Sequence, residues 1–303
     1  MAFRALLIAG PTASGKSAAA LELAARFGAE IVNADSMQVY RDLRVLTARP
    51  DPSETEIAPH HLFGEIDGAV NFSVGRWLQA ASELLAAVEG PLIFVGGTGL
   101  YFRALTEGLS DIPRVSDQVR EAVRASAAEE TTPTLHAILA EADPATAARL
   151  RPSDRQRILR ALEVVAATGR PLVEFQGARQ PALLAQGEWR GLFLAPERPT
   201  LNSRIALRFE QMIERGALDE VTALAARKLD PALPVMRAHG VPHLIAHLEG
   251  SLSREEAIEA SVRDTRRYAK RQFTWGRHQM PGFVWVAPKD AAAKGVEMFE
   301  GEG

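Results

Sequence analysis

The chain alternates short apolar runs with longer amphipathic segments. Five runs rich in apolar residues predict buried strands, at residues 5–9, 30–35, 91–95, 190–195 and 282–286. Helix-forming composition dominates between them, for example over residues 74–89, 203–226 and 254–277. Strands that alternate with helices are typical of an α/β, doubly wound core around a parallel sheet.

The strand pattern stops in the middle of the chain. Helices are predicted there over residues 115–128, 134–141 and 155–168, with breaks at Asp143-Pro144 and Arg151-Pro152. We therefore predict a first core part at 1–113, an inserted helical lobe at 114–186 and the rest of the core, with long basic helices, at 187–303. The segment after Pro288 is rich in Ala, Lys, Glu and Gly, and we expect it to be frayed.

Composition narrows the function classes. The 303 residues are 47% hydrophobic and 24% charged, with a net charge of -3, so any nucleic-acid surface must be a local patch. The absence of Cys excludes disulfides and thiolate metal sites and fits the cytoplasm. We expect no signal peptide and no membrane contact, because no apolar run approaches the ~20 residues that span a bilayer.

A phosphate-binding loop follows the first predicted strand. The octet GPTASGKS comprises Gly10, Pro11, Thr12, Ala13, Ser14, Gly15, Lys16 and Ser17. Backbone N–H groups and the start of the next helix favour a bound di- or triphosphate, Lys16 adds a charge, and the Ser17 hydroxyl suits Mg²⁺. The alternative is a Gly-rich turn with a chance Lys-Ser pair. The core is thus expected to be P-loop NTPase-like.

Two further segments end predicted strands. Asp35 closes the second strand, where its carboxylate can act as a base or hold Mg²⁺, or alternatively cap a following helix. The third strand runs into Gly96-Gly97-Thr98-Gly99, without the acid that a Walker B strand would carry. Small residues there allow something large to approach the backbone, although an ordinary tight turn is the alternative. Ligands bind beyond the carboxyl ends of such strands, so these segments are expected to converge on one site.

The last long helix is strongly basic. Arg263, Arg267, Lys270 and Arg271 recur at helical spacing and are expected to share one face that contacts phosphates. Tyr268, Phe273 and Trp275 are interleaved as candidate stacking partners. The alternative is a solvated face paired with Glu255, Glu256 and Glu259. A second patch at 155–160 mixes Arg with Gln, which suits contacts with RNA.

Three histidines recur every four residues at His239, His243 and His247. On a single helix they would stack on one side and could bind a metal. Pro242 argues against one continuous helix through all three.

Together these motifs carry a family resemblance over nearly the whole chain. They include residues 10–17, 33–40 (NADSMQVY), 47–50 (TARP), 59–62 (PHHL), 95–101 (VGGTGLY), 156–160 (QRILR) and 270–275 (KRQFTW). The chain resembles bacterial tRNA dimethylallyltransferases, also called tRNA isopentenyltransferases. This resemblance implies transfer of a dimethylallyl group from its diphosphate to the exocyclic amine of the adenine just 3′ of the anticodon, in tRNAs that read codons beginning with U. It also implies that the loop holds a diphosphate leaving group rather than ATP, and that the apolar tail lies in an apolar channel.

The same resemblance assigns roles to residues. Asp35 would be the base, with Thr12 and Arg208 as further catalytic groups, and Thr12, Lys16, Ser17 and Arg208 would bind the diphosphate. The residues expected to touch the tRNA anticodon stem-loop are Asp35, Ser36, Met37, Gln38, Thr98, Arg120, Gln156, Arg157, Ile158, Leu159, Arg160, Arg237, Lys270, Arg271, Gln272, Trp275 and Arg277. Gly240-Val-Pro-His243 departs from the family pattern near the Arg237–Val241 contact.

Three function classes remain distinguishable at this level. The first is a prenyltransferase that acts on tRNA with dimethylallyl diphosphate and Mg²⁺, as a cytoplasmic monomer. The second is a small-molecule kinase that uses ATP. The third is a non-catalytic RNA-binding protein, against which Asp35 beside the phosphate cradle argues.

Overall fold

The structure is a computed structural model that describes residues 3–113, 115–177 and 179–301. It contains two compact units, one formed by Met1–Thr106 with Leu183–Gly303 and one by Glu107–Ala182. We call them the core unit and the helical unit. The sequence predicts the insertion at 114–186, and residue 114 lies outside the residues that the structure describes. The compact helical unit instead spans 107–182.

The strands follow the apolar runs closely. They are β1 Ala5–Ala9, β2 Glu30–Asn33, β3 His60–His61, β4 Leu92–Gly96, β5 Trp189–Leu194 and β6 Phe283–Val286. The helices are α1 Lys16–Phe27, α2 Pro52–Ile57, α3 Val74–Ala87, α4 Gly99–Glu107, α5 Asp117–Ser126, α6 Thr132–Ala142, α7 Pro144–Ala147, α8 Arg155–Thr168, α9 Arg198–Glu214, α10 Ala217–Ala226, α11 Val241–Leu248, α12 Arg254–Gln279 and α13 Ala291–Glu300. Three short 3₁₀ turns lie at Leu172–Phe175, Val235–Arg237 and Pro288–Asp290.

One parallel six-stranded sheet forms the core unit, in the order β3-β2-β4-β1-β5-β6. The central strand β1 is completely buried, with Ile8 in register with Val95 on one side and Leu192 on the other. This confirms the predicted P-loop NTPase-like α/β fold. Because all strands run the same way, their carboxyl ends, at Ala9, Asn33 and Gly96, lie along one edge.

Three local predictions needed correction. The single helix expected at 203–226 is two helices, because Gly216 adopts a left-handed conformation with φ 95° and ends the first. The short edge strand β3 carries no clear apolar run and was missed. The tail after Pro288 is not frayed, since α13 buries Ala291 and Met298 in the core and Phe299 stacks on Phe27 with ring centroids 4.3 Å apart.

The helical unit has its own apolar core. Leu139, Ile158, Ala161 and Val164 are its most buried members, contributed by α6 and α8. In the described part of both units, no helix is long and apolar enough to cross a bilayer.

Candidate active site and RNA-contact residues

The phosphate-binding loop joins the central strand β1 to α1. Gly15 has φ 92° and Ala13 has φ 60°, so the loop contains two left-handed residues that turn the chain back on itself. The Ser14 side chain is fully buried, whereas Ser17 is exposed at the start of α1. The loop therefore presents the first turn of α1 outward, as an anion site requires.

Two cations lie inside this site. Lys16 Nζ donates a hydrogen bond to the Pro11 carbonyl at 3.0 Å. Burial lowers the pKa of Lys16 to about 8; the Asp35 charge acts in the opposite direction and Arg208 adds to the lowering. Burial also lowers the pKa of Arg208, which comes from α9 and is likewise influenced by Asp35. Asp35, Lys16 and Arg208 therefore share one electrostatic environment.

Asp35 is held by the end of β2. Its backbone N–H donates to Asn33 Oδ1 at 2.8 Å, and the Asn33 carbonyl in turn accepts from Trp77 Nε1 at 2.8 Å. Asp35 Oδ1 accepts from the Met37 N–H at 2.9 Å. Asp35 Oδ2 has no hydrogen-bond partner in the described chain. One oxygen therefore stabilises the turn after β2, and the structure has no helix there for Asp35 to cap, because the next helix begins at Pro52. The role of the other oxygen as a base stays a prediction.

A polar and aromatic wall surrounds this carboxylate. Thr98 Oγ1 accepts from the Ser36 N–H at 2.9 Å and donates to Ser36 Oγ at 3.3 Å. Burial and the nearby Asp35 charge raise the pKa values of Tyr101 and Tyr268. The His239 ring lies 4.5 Å from the Tyr268 ring, centroid to centroid. Both phenols are therefore neutral and within the electrostatic influence of Asp35.

The glycines after β4 allow α12 to approach the site. A side chain on Gly97 would lie 2.2 Å from Gln272 Nε2, and one on Gly99 would lie 2.0 Å from the Trp275 ring. Gln272 uses this space to donate to the Gly97 carbonyl at 2.9 Å and to accept from the Thr12 N–H at 3.0 Å. The expectation that small residues admit a large neighbour is confirmed. The neighbour is a buried amide that links α12, the P-loop and β4.

Replacing Gln272 by Leu is expected to lower the free energy of unfolding by about 1–3 kcal/mol, because the Thr12 donor and the Gly97 acceptor lose their partner. Diphosphate affinity should fall as well, since the P-loop loses its support from α12. Chemical denaturation and calorimetric titration measure the two effects. Gln118→Leu, at an exposed position of α5, is the matched control. Equal stabilities of the two variants would contradict this role.

A cavity of about 280 Å³ adjoins Ser17 and Arg208. Its walls include three further arginines, Arg44, Arg49 and Arg215, as well as Phe63. The lining also includes the carboxylates Asp51 and Glu54 and the apolar side chains of Leu21, Ile31, Val95 and Met212. The cavity therefore has a mixed lining, and the apolar channel for the dimethylallyl tail stays a prediction.

Comparisons with known proteins bear directly on this site. A family model described as IPP transferase matches residues 38–279. The chain belongs to this family. A second model, described as Isopentenyl transferase, matches residues 3–60.

Individual relatives match nearly the whole chain. Proteins named tRNA dimethylallyltransferase from Methylocella silvestris and Methylobacterium nodulans are each 62% identical to it, over 96% of the chain and 97% and 98% of their own lengths. A crystal structure of a tRNA isopentenylpyrophosphate transferase from Bacillus halodurans has a TM-score of 0.68 at 32% identity, covering 99% of this chain and 95% of that one. A eukaryotic dimethylallyltransferase described as acting on tRNA has a TM-score of 0.82 at 25% identity, covering 99% and 79%.

Most of the core-unit residues that are expected to contact tRNA are exposed or half-buried. The exposed ones are Arg237, Lys270, Arg271 and Arg277, and the half-buried ones are Asp35, Ser36, Met37, Gln38, Thr98 and Trp275. Gln272 is the exception, because it is 7% exposed and bonded within the protein, which corrects its placement as a peripheral RNA contact. Gln38 donates both amide hydrogens internally, to the carbonyls of Thr47 and Ala48 at 2.9 Å each.

The other residues expected to contact tRNA lie in the helical unit. Two of them, Arg120 and Arg160, are near a buried acid. Glu163 is 4% exposed and lies near three guanidinium groups, with N–O distances of 3.3 Å to Arg124, 3.6 Å to Arg160 and 4.0 Å to Arg120. Gln156 and Arg157 are exposed, and Leu159 is partly buried. Ile158 has no exposed surface and belongs to the core of this unit, so its side chain does not form an RNA contact as expected.

The three regularly spaced histidines are not gathered on one helix. α11 begins at Val241, so His239 precedes it. His243 Nε2 lies 2.9 Å from Asp264, and His247 Nδ1 lies 3.1 Å from the Leu252 carbonyl. Among the described residues, no group of three or more His, Asp or Glu could hold a metal ion. In the stretch at 240–243 that departs from the family pattern, Val241 is buried.

The sequence analysis named Tyr268 only as a stacking partner for RNA and Gln272 only as an RNA contact. It missed the place of Tyr268 near Asp35 and the role of Gln272 as an internal link. Tyr268, Gln272 and Trp275 have the spacing i, i+4, i+7, which places them on one side of α12. That periodicity, counted back from the Gln-Phe-Thr-Trp motif, is the signal that could have found Tyr268.

Proposed function

We propose that this chain transfers a dimethylallyl group from dimethylallyl diphosphate to the N6 amine of the adenine just 3′ of the anticodon, in tRNAs that read codons beginning with U. The observation that carries the proposal is the free Asp35 carboxylate oxygen in the same electrostatic environment as Lys16 and Arg208. The reaction needs a base that accepts the proton of the amine and a site that binds the diphosphate leaving group. The relatives named tRNA dimethylallyltransferase support the same chemistry.

The reaction makes one bond and breaks one. The adenine N6 attacks C1 of the dimethylallyl group, the N–C bond forms and the C–O bond to the diphosphate breaks. Asp35 Oδ2 takes the proton that N6 loses. The P-loop N–H groups, Lys16 and Arg208 stabilise the negative charge that grows on the diphosphate oxygens.

Magnesium fits this arrangement with the help of the substrate. The Ser17 hydroxyl is exposed at the start of α1 and has no hydrogen-bond partner among the described residues. Mg²⁺ is commonly bound through one or two protein oxygens together with phosphate oxygens and water. Ser17 would hold the ion, whose charge would help to stabilise the departing diphosphate.

The kinase alternative has less support. The strand β4 ends in Gly96 and not in an acid, and the relatives carry a transferase name. Because the substrate is tRNA, we also propose that the protein acts in the cytoplasm, and we expect a monomer. Sedimentation of the free protein and of its tRNA complex tests the monomer.

The deciding experiment is mass spectrometry of anticodon-loop nucleosides after incubation with dimethylallyl diphosphate, Mg²⁺ and tRNA. The expected product is N6-(dimethylallyl)adenosine in tRNAs that read U-initial codons. A parallel reaction with ATP and no prenyl donor measures phosphoryl transfer. Phosphorylation of a small molecule without adenine alkylation would refute the proposed function.

Affinity for dimethylallyl diphosphate is expected to fall as the pH rises above about 8. Lys16 has a pKa of about 8 in the free protein, so it is charged below that pH and neutral above it. A bound diphosphate favours the charged form, so binding takes up a proton at high pH and weakens by up to about tenfold per pH unit. Calorimetric titration between pH 6.5 and 9.5 measures the slope.

Lys16→Arg is the control for this pH dependence, because a guanidinium stays charged over the whole range. Its diphosphate affinity should be nearly constant between pH 8 and 9.5. The same slope in both proteins would show that another group titrates.

A further inference from the structure

A second basic cavity lies between α9 and α12. Its volume is about 340 Å³, and its lining includes five basic side chains with Leu201, Ala269 and Phe273. The basic residues are Arg198 at the start of α9 and Arg263, Arg266, Arg267 and Lys270 on α12. No carboxylate lines it.

These cations are poorly neutralised. Within the described chain, Arg198, Arg263 and Lys270 have no side-chain hydrogen bond or ion pair. Arg266 donates to the Asn202 carbonyl at 3.2 Å, and Arg267 pairs at 3.3 Å with Asp264, which is shared with His243. Like charges gathered without counter-charges repel one another, so a cluster of this kind is stabilised by a bound anion.

The acidic partners suggested by the sequence lie elsewhere. Glu256 caps its own helix by accepting from the Ser253 N–H at 2.8 Å, and no ion pair joins Glu255 or Glu259 to these cations in the described structure. Arg271 does not share this face as expected, because its guanidinium lies over the Tyr268 ring, 5.4 Å from the centroid. The basic residues of α12 are exposed to solvent, but they are not paired with these three glutamates as the alternative required.

The cavity is separate from the diphosphate site. Each residue advances an α-helix by about 100°, so Arg266 and Tyr268 point to opposite sides of α12. Tyr268 and Gln272 face Thr98 and the P-loop, whereas Arg266 and Lys270 face the cavity. A ligand here would bind outside the catalytic centre.

We propose that this cavity binds backbone phosphates of the tRNA. The proposal rests on the proposed function, which supplies the RNA. Guanidinium groups recognise phosphate oxygens in pairs, and the half-buried Phe273 with Leu201 offers an apolar floor for a sugar or base. The sequence predicts phosphate contacts for Arg263, Arg267 and Lys270 of α12. The cavity adds Arg198 and Arg266 to this set.

The test is tRNA affinity as a function of salt concentration, measured by filter binding without prenyl donor. The double variant R263Q/K270Q should reduce the slope of log affinity against log salt by about 1.4–1.8, since each phosphate contact contributes about 0.7–0.9. Arg198→Gln alone should reduce it by about 0.7–0.9, although this residue is on α9 and not on the basic helix. R76Q/R254Q removes two exposed charges outside the cavity and should leave the slope unchanged.

Several outcomes would overturn the proposal. An unchanged slope in R263Q/K270Q, or an equal loss in R76Q/R254Q, excludes a specific phosphate site. If calorimetry shows that the double variant loses affinity only for free diphosphate, the cavity binds small anions and not RNA. Circular dichroism melts confirm that each variant is folded. Because the assay measures binding alone, failure of prenyl transfer would refute the proposed function without affecting this result.

Discussion

Replacing Asp35 by Asn is expected to lower kcat by about 10²–10⁴-fold, the usual contribution of a general base. The amide keeps the shape of the side chain and can still accept from the Met37 N–H, so the turn after β2 remains. It cannot take the proton from N6. Single-turnover prenyl transfer measures the loss, and filter binding should show that tRNA is still bound.

Two comparisons make the Asp35 result specific. Asp219→Asn, at an exposed position of α10, changes the same charge away from the site and should leave kcat unchanged. Asp35→Ala removes the Met37 contact as well, so it should also be less stable than Asp35→Asn. Full turnover in Asp35→Asn would show that the carboxylate only stabilises the turn.

Removing one cation from the diphosphate site is expected to lower kcat by about 10²–10³-fold, the effect of losing one preorganised donor to developing negative charge. Lys16→Ala and Arg208→Ala are the two variants. Charge on the diphosphate grows as the C–O bond breaks, so these cations stabilise the transition state more than the bound substrate. Rapid-quench turnover at saturating dimethylallyl diphosphate measures the effect.

The control for this prediction is Lys289→Ala, which removes an exposed charge near the end of the chain. tRNA affinity should be nearly the same in all three variants, because the cations act on the leaving group. Weaker diphosphate binding with an unchanged kcat would mean that Lys16 and Arg208 bind the ground state and the transition state equally.

The sequence by itself determined the features that depend on neighbouring residues. The octet at 10–17 predicts a phosphate-binding loop because its glycines, Lys16 and the start of the following helix lie within eight consecutive residues. The strand ends near Asp35 and at Gly96 follow from apolar runs, and a parallel sheet brings such ends to one edge whatever the remaining topology. The resemblance to tRNA dimethylallyltransferases likewise rests on short contiguous motifs.

Only the tertiary structure decided which distant segments meet. Gln272 bonds Thr12 across 260 positions of chain, and no periodicity in either segment identifies the other. The Ala- and Glu-rich tail becomes α13 because Met298 and Phe299 find apolar partners on distant elements, which overrides its weak local pattern. Arg198 joins the cations of α12 for the same reason: side chains far apart in sequence share a cavity only after two helices have packed.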